Sequence, residues 1–234
     1  MKAVASMVTA GYTLCDVGTD HGYVPIALVQ SNIIPKAIAV DINKGPLERA
    51  NEHIRANGLT EQITTRLSNG LEAIHDGEVD SIVIAGMGGE LVIHILTAGE
   101  TVCRSAKELI LQPQSEVSKV REYVRNTGYK IVDEDMILED GKYYPMMSVT
   151  KKETAMPLDN PYRNAKDIDF LYGAYLLKEG HPVLQDYLKR EAQIYRELLE
   201  KLSAISDRPE IQKRIHEVEK KAEQTERAIQ EMSK

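Results

Sequence analysis

Seven consecutive residues, Asp16-Val17-Gly18-Thr19-Asp20-His21-Gly22, set two carboxylates and two glycines at the end of an apolar run. A strand, a glycine turn and a helix make the setting of nucleotide sites in α/β proteins. Gly18 permits the tight turn, and Gly22 permits a close approach of helix to strand. Asp20, however, stands where a pyrophosphate site needs glycine, and with Asp16 beside it a diphosphate would be repelled. A nucleoside with a cationic end fits better. S-adenosylmethionine carries an ammonium and a sulfonium, so Asp16, Gly18, Thr19, Asp20, His21 and Gly22 are candidates to hold it.

Three further segments follow at matching intervals. Asp41 ends the second apolar run, 23 positions after Gly18. That is near the separation of about 20 at which a carboxylate takes a ribose diol, with Ile42 beside it. The alternative is an acidic cap for the helix starting near Lys44. Ser68-Asn69-Gly70 follows the third run; the Asn69 amide offers a donor and an acceptor to an adenine ring, or Asn69 and Gly70 simply turn the chain. Ile84-Ala85-Gly86-Met87-Gly88-Gly89 follows the fourth. Three glycines in four positions clear side chains from a strand's carboxyl end, so that a flat group can lie on backbone. Ala85 and Gly86 are then cofactor contacts, and Gly86, Met87 and Gly88 border the reaction. Gln112, in Leu111-Gln112-Pro113-Gln114, either touches substrate or belongs only to a turn. The six histidines are scattered without metal-ligand spacing, and no metal is expected.

These segments need a scaffold that brings strand ends together. Apolar, β-branched runs at 12–17, 36–41, 62–68, 79–85 and 107–112 alternate with helical spacing at 23–29, 46–56, 91–98 and 117–124. That rhythm predicts an α/β, Rossmann-like parallel sheet. After Gly128 the pattern becomes two extended runs, 129–138 and 142–150, joined by Glu139-Asp140-Gly141, an antiparallel hairpin signal. Pro145 points to a bulge or an edge in the second run. A connector follows, and then two heptad stripes, Leu184 to Ile205 and Ile211 to Met232, joined by a turn in which Asp207 caps the second helix. The expected organisation is a cofactor-binding domain at 1–152, a connector and docking helix at 153–180, and an antiparallel coiled-coil hairpin at 181–234. The base of that hairpin should dock on the α/β domain, or the hairpin should grip a partner.

The chain of 234 residues has a net charge of −7. Residues 176–234 hold 12 basic and 12 acidic residues, so the acidity belongs to 1–175. An acidic chain argues against a broad nucleic-acid surface but leaves local sites open. No apolar stretch reaches membrane-spanning length, and the N-terminal residues do not read as a signal peptide. Cys15 and Cys103 form no disulfide framework. Cytoplasmic location and no membrane partner are the expectations.

DVGTDHGYVP (16–25), IAGMGGELVIHIL (84–96), LILQPQ (109–114) and the helical hairpin resemble the bacterial tRNA (adenine-22 N1)-methyltransferases, the TrmK family. The resemblance spans nearly the whole chain. It implies a class I methyltransferase domain using S-adenosylmethionine, a C-terminal hairpin that helps hold tRNA, and an N1-methyladenine product. Asp16, Gly18 and Gly22 match the family's first cofactor loop, and Asp20, His21 and Tyr23 its variant of that loop. Asp41 matches the ribose carboxylate, Asn69 and Gly70 the adenine-side loop, and Gly86 to Gly89 the active-site loop. Relatives often read Gly-Asp-Gly at the adenine-side loop. They also carry a Leu-Ser-x-Arg-Leu segment before the stretch matching Lys2 to Val8; this sequence begins inside that helix, so either its start is truncated or the family's N-terminal turn, with an arginine expected to help close the site, is absent.

Adenine N1 has a free in-plane lone pair, so attack on the methyl needs no prior proton removal, and catalysis is mainly positioning and field. Asp20 either stabilises the positive charge developing on the ring or orients the methionine amino group. The target base must leave its helix, and Tyr23 is the candidate stacking ring. Lys189, Arg190, Lys213 and Arg214 on the hairpin are candidates for tRNA phosphates, or are ordinary solvated flanks. The expected oligomeric state is a monomer or weak dimer. Two alternatives stand beside this one: a methyltransferase acting on another RNA, a small molecule or a protein, and a non-catalytic nucleotide-binding scaffold that dimerises through the hairpin.

Overall fold

The computed structural model describes residues 1–151, 157–204 and 209–233. Ile205 and the proposed Asp207 cap lie outside the described residues. Two compact units are present: Met1–Asp135 with Tyr144–Met156, and Met136–Tyr143 with Pro157–Lys234.

The first unit carries a seven-stranded sheet, β1 (Leu14–Val17), β2 (Ala37–Asp41), β3 (Ile63–Leu67), β4 (Ser81–Gly88), β5 (Glu108–Ser115), β6 (Tyr129–Glu139) and β7 (Lys142–Lys151), in the order β3-β2-β1-β4-β5-β7-β6. The first five pair in parallel and β7 joins β5 antiparallel. All four residues of β1, the first four of β2 and of β4, and the first six of β5 are buried, as suits a parallel sheet covered on both faces. The helices of this unit are α1 (Lys2–Ser6), α2 (Tyr23–Gln30), α3 (Lys44–Ala56), α4 (Gly89–Ala98), α5 (Glu100–Ser105) and α6 (Val117–Asn126). Strand order reverses at β1, whose neighbours are β2 and β4, and ligand crevices of open α/β sheets form at such a switch point.

Three local expectations are corrected. Gly86 to Gly88 and Gln112 to Gln114 are not loops after strands: β4 runs to Gly88 and β5 to Ser115, with register shifts on either side of Met87. The glycines are absorbed into an irregular strand end that still pairs. Pro145 is not on an edge strand, because β7 lies between β5 and β6. The proline lies beyond the Glu108–Leu111 stretch that pairs with Met147–Thr150, so it breaks none of those rungs. Gly22 makes its close approach to α3, where an added Cβ would meet Ala50 at 3.5 Å, and not to a strand. The hairpin turn is as expected, with Asp140 (φ 50°) and Gly141 (φ 75°) both left-handed.

In the second unit, α7 (Asp167–Tyr172), α8 (Ala174–Lys178), α9 (Pro182–Ser203) and α10 (Pro209–Met232) share a core with the tip of the β6–β7 hairpin. Met136 packs there with Ile168, Leu176, Leu177, Leu184, Leu188 and Ala228. The base of the long helices is thus covered by α7, α8 and the strand tip. The sequence had placed residues 129–150 wholly with the sheet.

Candidate active site

The carboxyl ends of β1, β2, β3, β4 and β5 carry the residues singled out by sequence in the first unit. The loop after β1 is drawn toward β2, because Gly18 N–H and Thr19 N–H both donate to the Val40 carbonyl (2.8 and 2.9 Å). Gly18 has φ +74°, and a Cβ there would lie 2.1 Å from Met87 Cε. The bare position therefore admits the Met87 side chain, which walls the loop from the β4 side.

Asp16 is buried, 7% exposed, with no ammonium or guanidinium paired to it among the described residues. Burial pushes its carboxyl up to about 6, and the neighbouring Thr19 hydroxyl offsets this in part. Thr19 Oγ is itself buried without a well-formed hydrogen bond. A buried carboxylate, an unsatisfied hydroxyl and a glycine turn suit a ligand that brings its own cation, as S-adenosylmethionine does.

Asp41 accepts from Asn43 N–H (2.7 Å) through Oδ1, and Oδ2 has no partner among the described residues. The capping alternative does not hold, since the cap of α3 is Asn43 and Asp41 bonds only the backbone N–H of that residue; its second oxygen is left for a diol among the described residues. Ile42 (60% exposed) and Leu67 (52%) stand as apolar lips on a groove completed by Ser68, Asn69, Glu72 and Ala73. Ser68 shapes its floor, donating to the Gly70 carbonyl (2.9 Å) and accepting from Ala73 N–H (3.0 Å). Asn69 donates to Glu72 (2.9 Å), which ties its amide into the turn.

Asp20 is exposed and bonded to Arg49 of α3 (2.8 Å), with His21 Nε2 at 3.5 Å. The Arg49 guanidinium holds its carboxyl below the usual range. A carboxylate so paired has much of its charge already answered. His21 takes a left-handed backbone (φ 62°). Its ring stacks on Tyr23 (5.2 Å, 12°) and on His53 of α3 (5.1 Å, 26°), while His53 Nδ1 donates to the His21 carbonyl (3.0 Å). Tyr23 remains 53% exposed. The three rings form one platform with Tyr23 open to solvent.

At the ends of β4 and β5, Gly86 N–H donates to Gln112 Oε1 (3.0 Å), and Gln112 is buried. Gln112 therefore holds the glycine strand in place; it does not reach outward as the sequence suggested. Gly89 cannot carry a side chain, because a Cβ would come within 2.6 Å of the Ser115 carbonyl. Ala85, Gly86, Met87 and Gly88 lie at this end of β4. In the second unit, Lys189, Arg190, Lys213 and Arg214 are all exposed; Arg214 pairs with Glu217 (3.0 Å), and the other three carry no ion pair among the described residues.

Sequence reasoning missed Arg49, His53, Leu67 and Gln114. Arg49 and His53 lie four apart on α3, spacing that any amphipathic helix shows, so no signal marked them. No group of His, Cys, Asp and Glu among the described residues is arranged to hold a metal.

A methyltransferase-domain family model matches residues 1–147. The chain is 32% identical over 218 residues to the Bacillus subtilis tRNA (adenine(22)-N(1))-methyltransferase, covering 93% of this chain and 90% of that one. It superposes on the crystal structure of the B. subtilis m1A22 tRNA methyltransferase TrmK with a TM-score of 0.84, at 31% identity, over 97% and 96% of the chains. M. capricolum TrmK in complex with S-adenosylhomocysteine gives a TM-score of 0.81 at 26% identity, over 99% and 96%.

Proposed function

Because the chain belongs to the tRNA (adenine(22)-N1)-methyltransferase family, we propose that it methylates N1 of adenine 22 in tRNA, with S-adenosylmethionine as donor. One observation in the site carries the reading: a buried Asp16, with no paired cation among the described residues, beside the Gly18 turn at the switch point of the sheet. Bound at this site, S-adenosylmethionine would supply an electrophilic methyl to the N1 lone pair and leave as the neutral thioether, the positive charge passing to the adenine ring.

The chain's own residues bind, orient and exclude. Asp16, with Thr19, faces the cationic end. Asp41 Oδ2 takes a ribose hydroxyl, and Ile42 and Leu67 cover the cofactor's adenine. Met87 walls the donor from the β4 side. The Gly86–Gly88 backbone gives the target base a flat bed, kept in place by Gln112. Tyr23, backed by His21 and His53, offers the target base a stacking face. Asp20, shared with Arg49, contributes a weakened negative field to the ring as it becomes charged.

The domain roles follow: residues 1–152 perform the chemistry, 153–180 connect, and 181–234 grip tRNA. No described helix is long and apolar enough to cross a membrane; two buried free thiols fit the reducing cytoplasm. The protein acts as a monomer or weak dimer.

Methyl transfer from radiolabelled donor to unmodified tRNA transcripts tests the reading. Label is expected on transcripts with adenine at position 22 and not on those with another base there. Equal labelling of both would overturn it.

A further inference from the structure

Granted adenine N1 methylation as above, we propose that Gln114 is a specificity-determining residue that grips the target adenine by its N6–N7 edge and so presents N1 to the methyl donor. Two glutamines flank Pro113, and they are in opposite situations. Gln112 is buried and its amide is committed to Gly86 and the Pro113 carbonyl. Gln114 is exposed, and its amide makes no hydrogen bond among the described residues. Its Nε2 lies 3.9 Å from the place where a Cβ on Gly86 would be. The free amide thus hangs over the bare backbone on which the base lies.

The chemistry of the base calls for such a group. During reaction N1 must face the methyl, so hydrogen bonds to N1 cannot orient the ring. N7 and the outer N6 hydrogen remain, an acceptor beside a donor. A carboxamide matches them, with Oε1 accepting from N6 and Nε2 donating to N7. Occupying N7 also shields a competing ring nucleophile. Guanine offers two acceptors on that edge and leaves Oε1 opposed to O6. Pro113, the residue before Gln114, is buried in β5 and its ring fixes its own φ, so Gln114 leaves from a fixed position.

A double-substitution cycle tests this. Tapped residues are Gln114, changed by Gln114→Ala, and position 22 of the transcript, changed from adenine to 7-deazaadenine or to purine lacking the 6-amino group. Wild-type kcat/KM should fall about 10- to 100-fold on either analogue, the scale of a bidentate amide–adenine contact. Gln114→Ala should fall by a similar factor on adenine and lose little more on the analogues, with donor affinity and overall tRNA affinity unchanged. Gln114→Glu should be as impaired on adenine as the alanine variant, because a carboxylate cannot donate to N7. Independent, multiplying losses from the two changes would overturn the role of Gln114. Failure of the wild-type protein to methylate the adenine transcript at all would instead overturn the reaction on which the role depends.

Discussion

Asp16 shows how one buried group couples the fold to its ligand. Its folded pKa of about 6 lies above the ordinary carboxyl value of 3.8. The folded free protein therefore holds this proton more tightly than the unfolded chain does. The group's contribution to stability is fully present below pH 3.8 and is lost as pH rises through about 6, by roughly 3 kcal/mol in all. A cationic ligand reverses the preference, since it wants the ionised form. Affinity for S-adenosylhomocysteine, measured by calorimetry, should fall about tenfold between pH 8 and pH 5. Asp16→Asn should bind weakly and without that step; a wild-type affinity that is level with pH would show that the carboxylate does not face the ammonium. Asp16 and the glycines beside it were legible in sequence because type and spacing alone mark them. The state of Asp20 was not, because Arg49, 29 positions away, decides it.

At the level of elements, the site depends on how β4 meets β5. The chain past Ala85 stays strand-like while its register slips on either side of Met87. Gly89, the first residue of α4, passes so close to Ser115 that even a methyl group has no room. Gly89→Ala should lower stability by about 1–3 kcal/mol, the usual cost of overpacking against backbone, seen as a reduced midpoint in thermal or urea unfolding. Methyl transfer should fall with it, since the Gly86–Gly88 bed shifts. Unchanged stability and activity would mean that the two strand ends are not held in this contact. The sequence displayed the glycine cluster but not its causes, a left-handed backbone at Gly86 and the Ser115 backbone against Gly89.

On the scale of the whole molecule, charge is divided as the sequence indicated. The net −7 belongs to residues 1–175, and the C-terminal helices are balanced. Removing residues 181–234 would strip Leu184, Leu188 and Ala228 from the core they share with Met136 and Ile168, so truncation confuses folding with binding. Replacing Lys189, Arg190 and Lys213, exposed and without an ion pair among the described residues, by Gln avoids this. The triple variant should keep its donor affinity and bind tRNA more weakly. The slope of log affinity against log salt should shrink by about 2–3, each of the three lost phosphate contacts removing about 0.7–0.9. An unchanged slope would leave these residues as solvated flanks.

The order of strands and helices, the paired runs with their Asp-Gly turn, the heptad helices and the glycine-marked ligand loop were all determined by the sequence itself, because periodicity and turn chemistry are local. Only the tertiary structure decided which polar groups stay free. Among the described residues Asp16 lacks a cation, Asp20 has one, Gln112 is spent on Gly86 and Gln114 is not. Those outcomes join Gly86 to Gln112 across the ends of β4 and β5, 26 positions apart, and Asp20 to Arg49 of α3, 29 positions apart, and no spacing rule along the chain carries that information, since register and packing set which side chains meet.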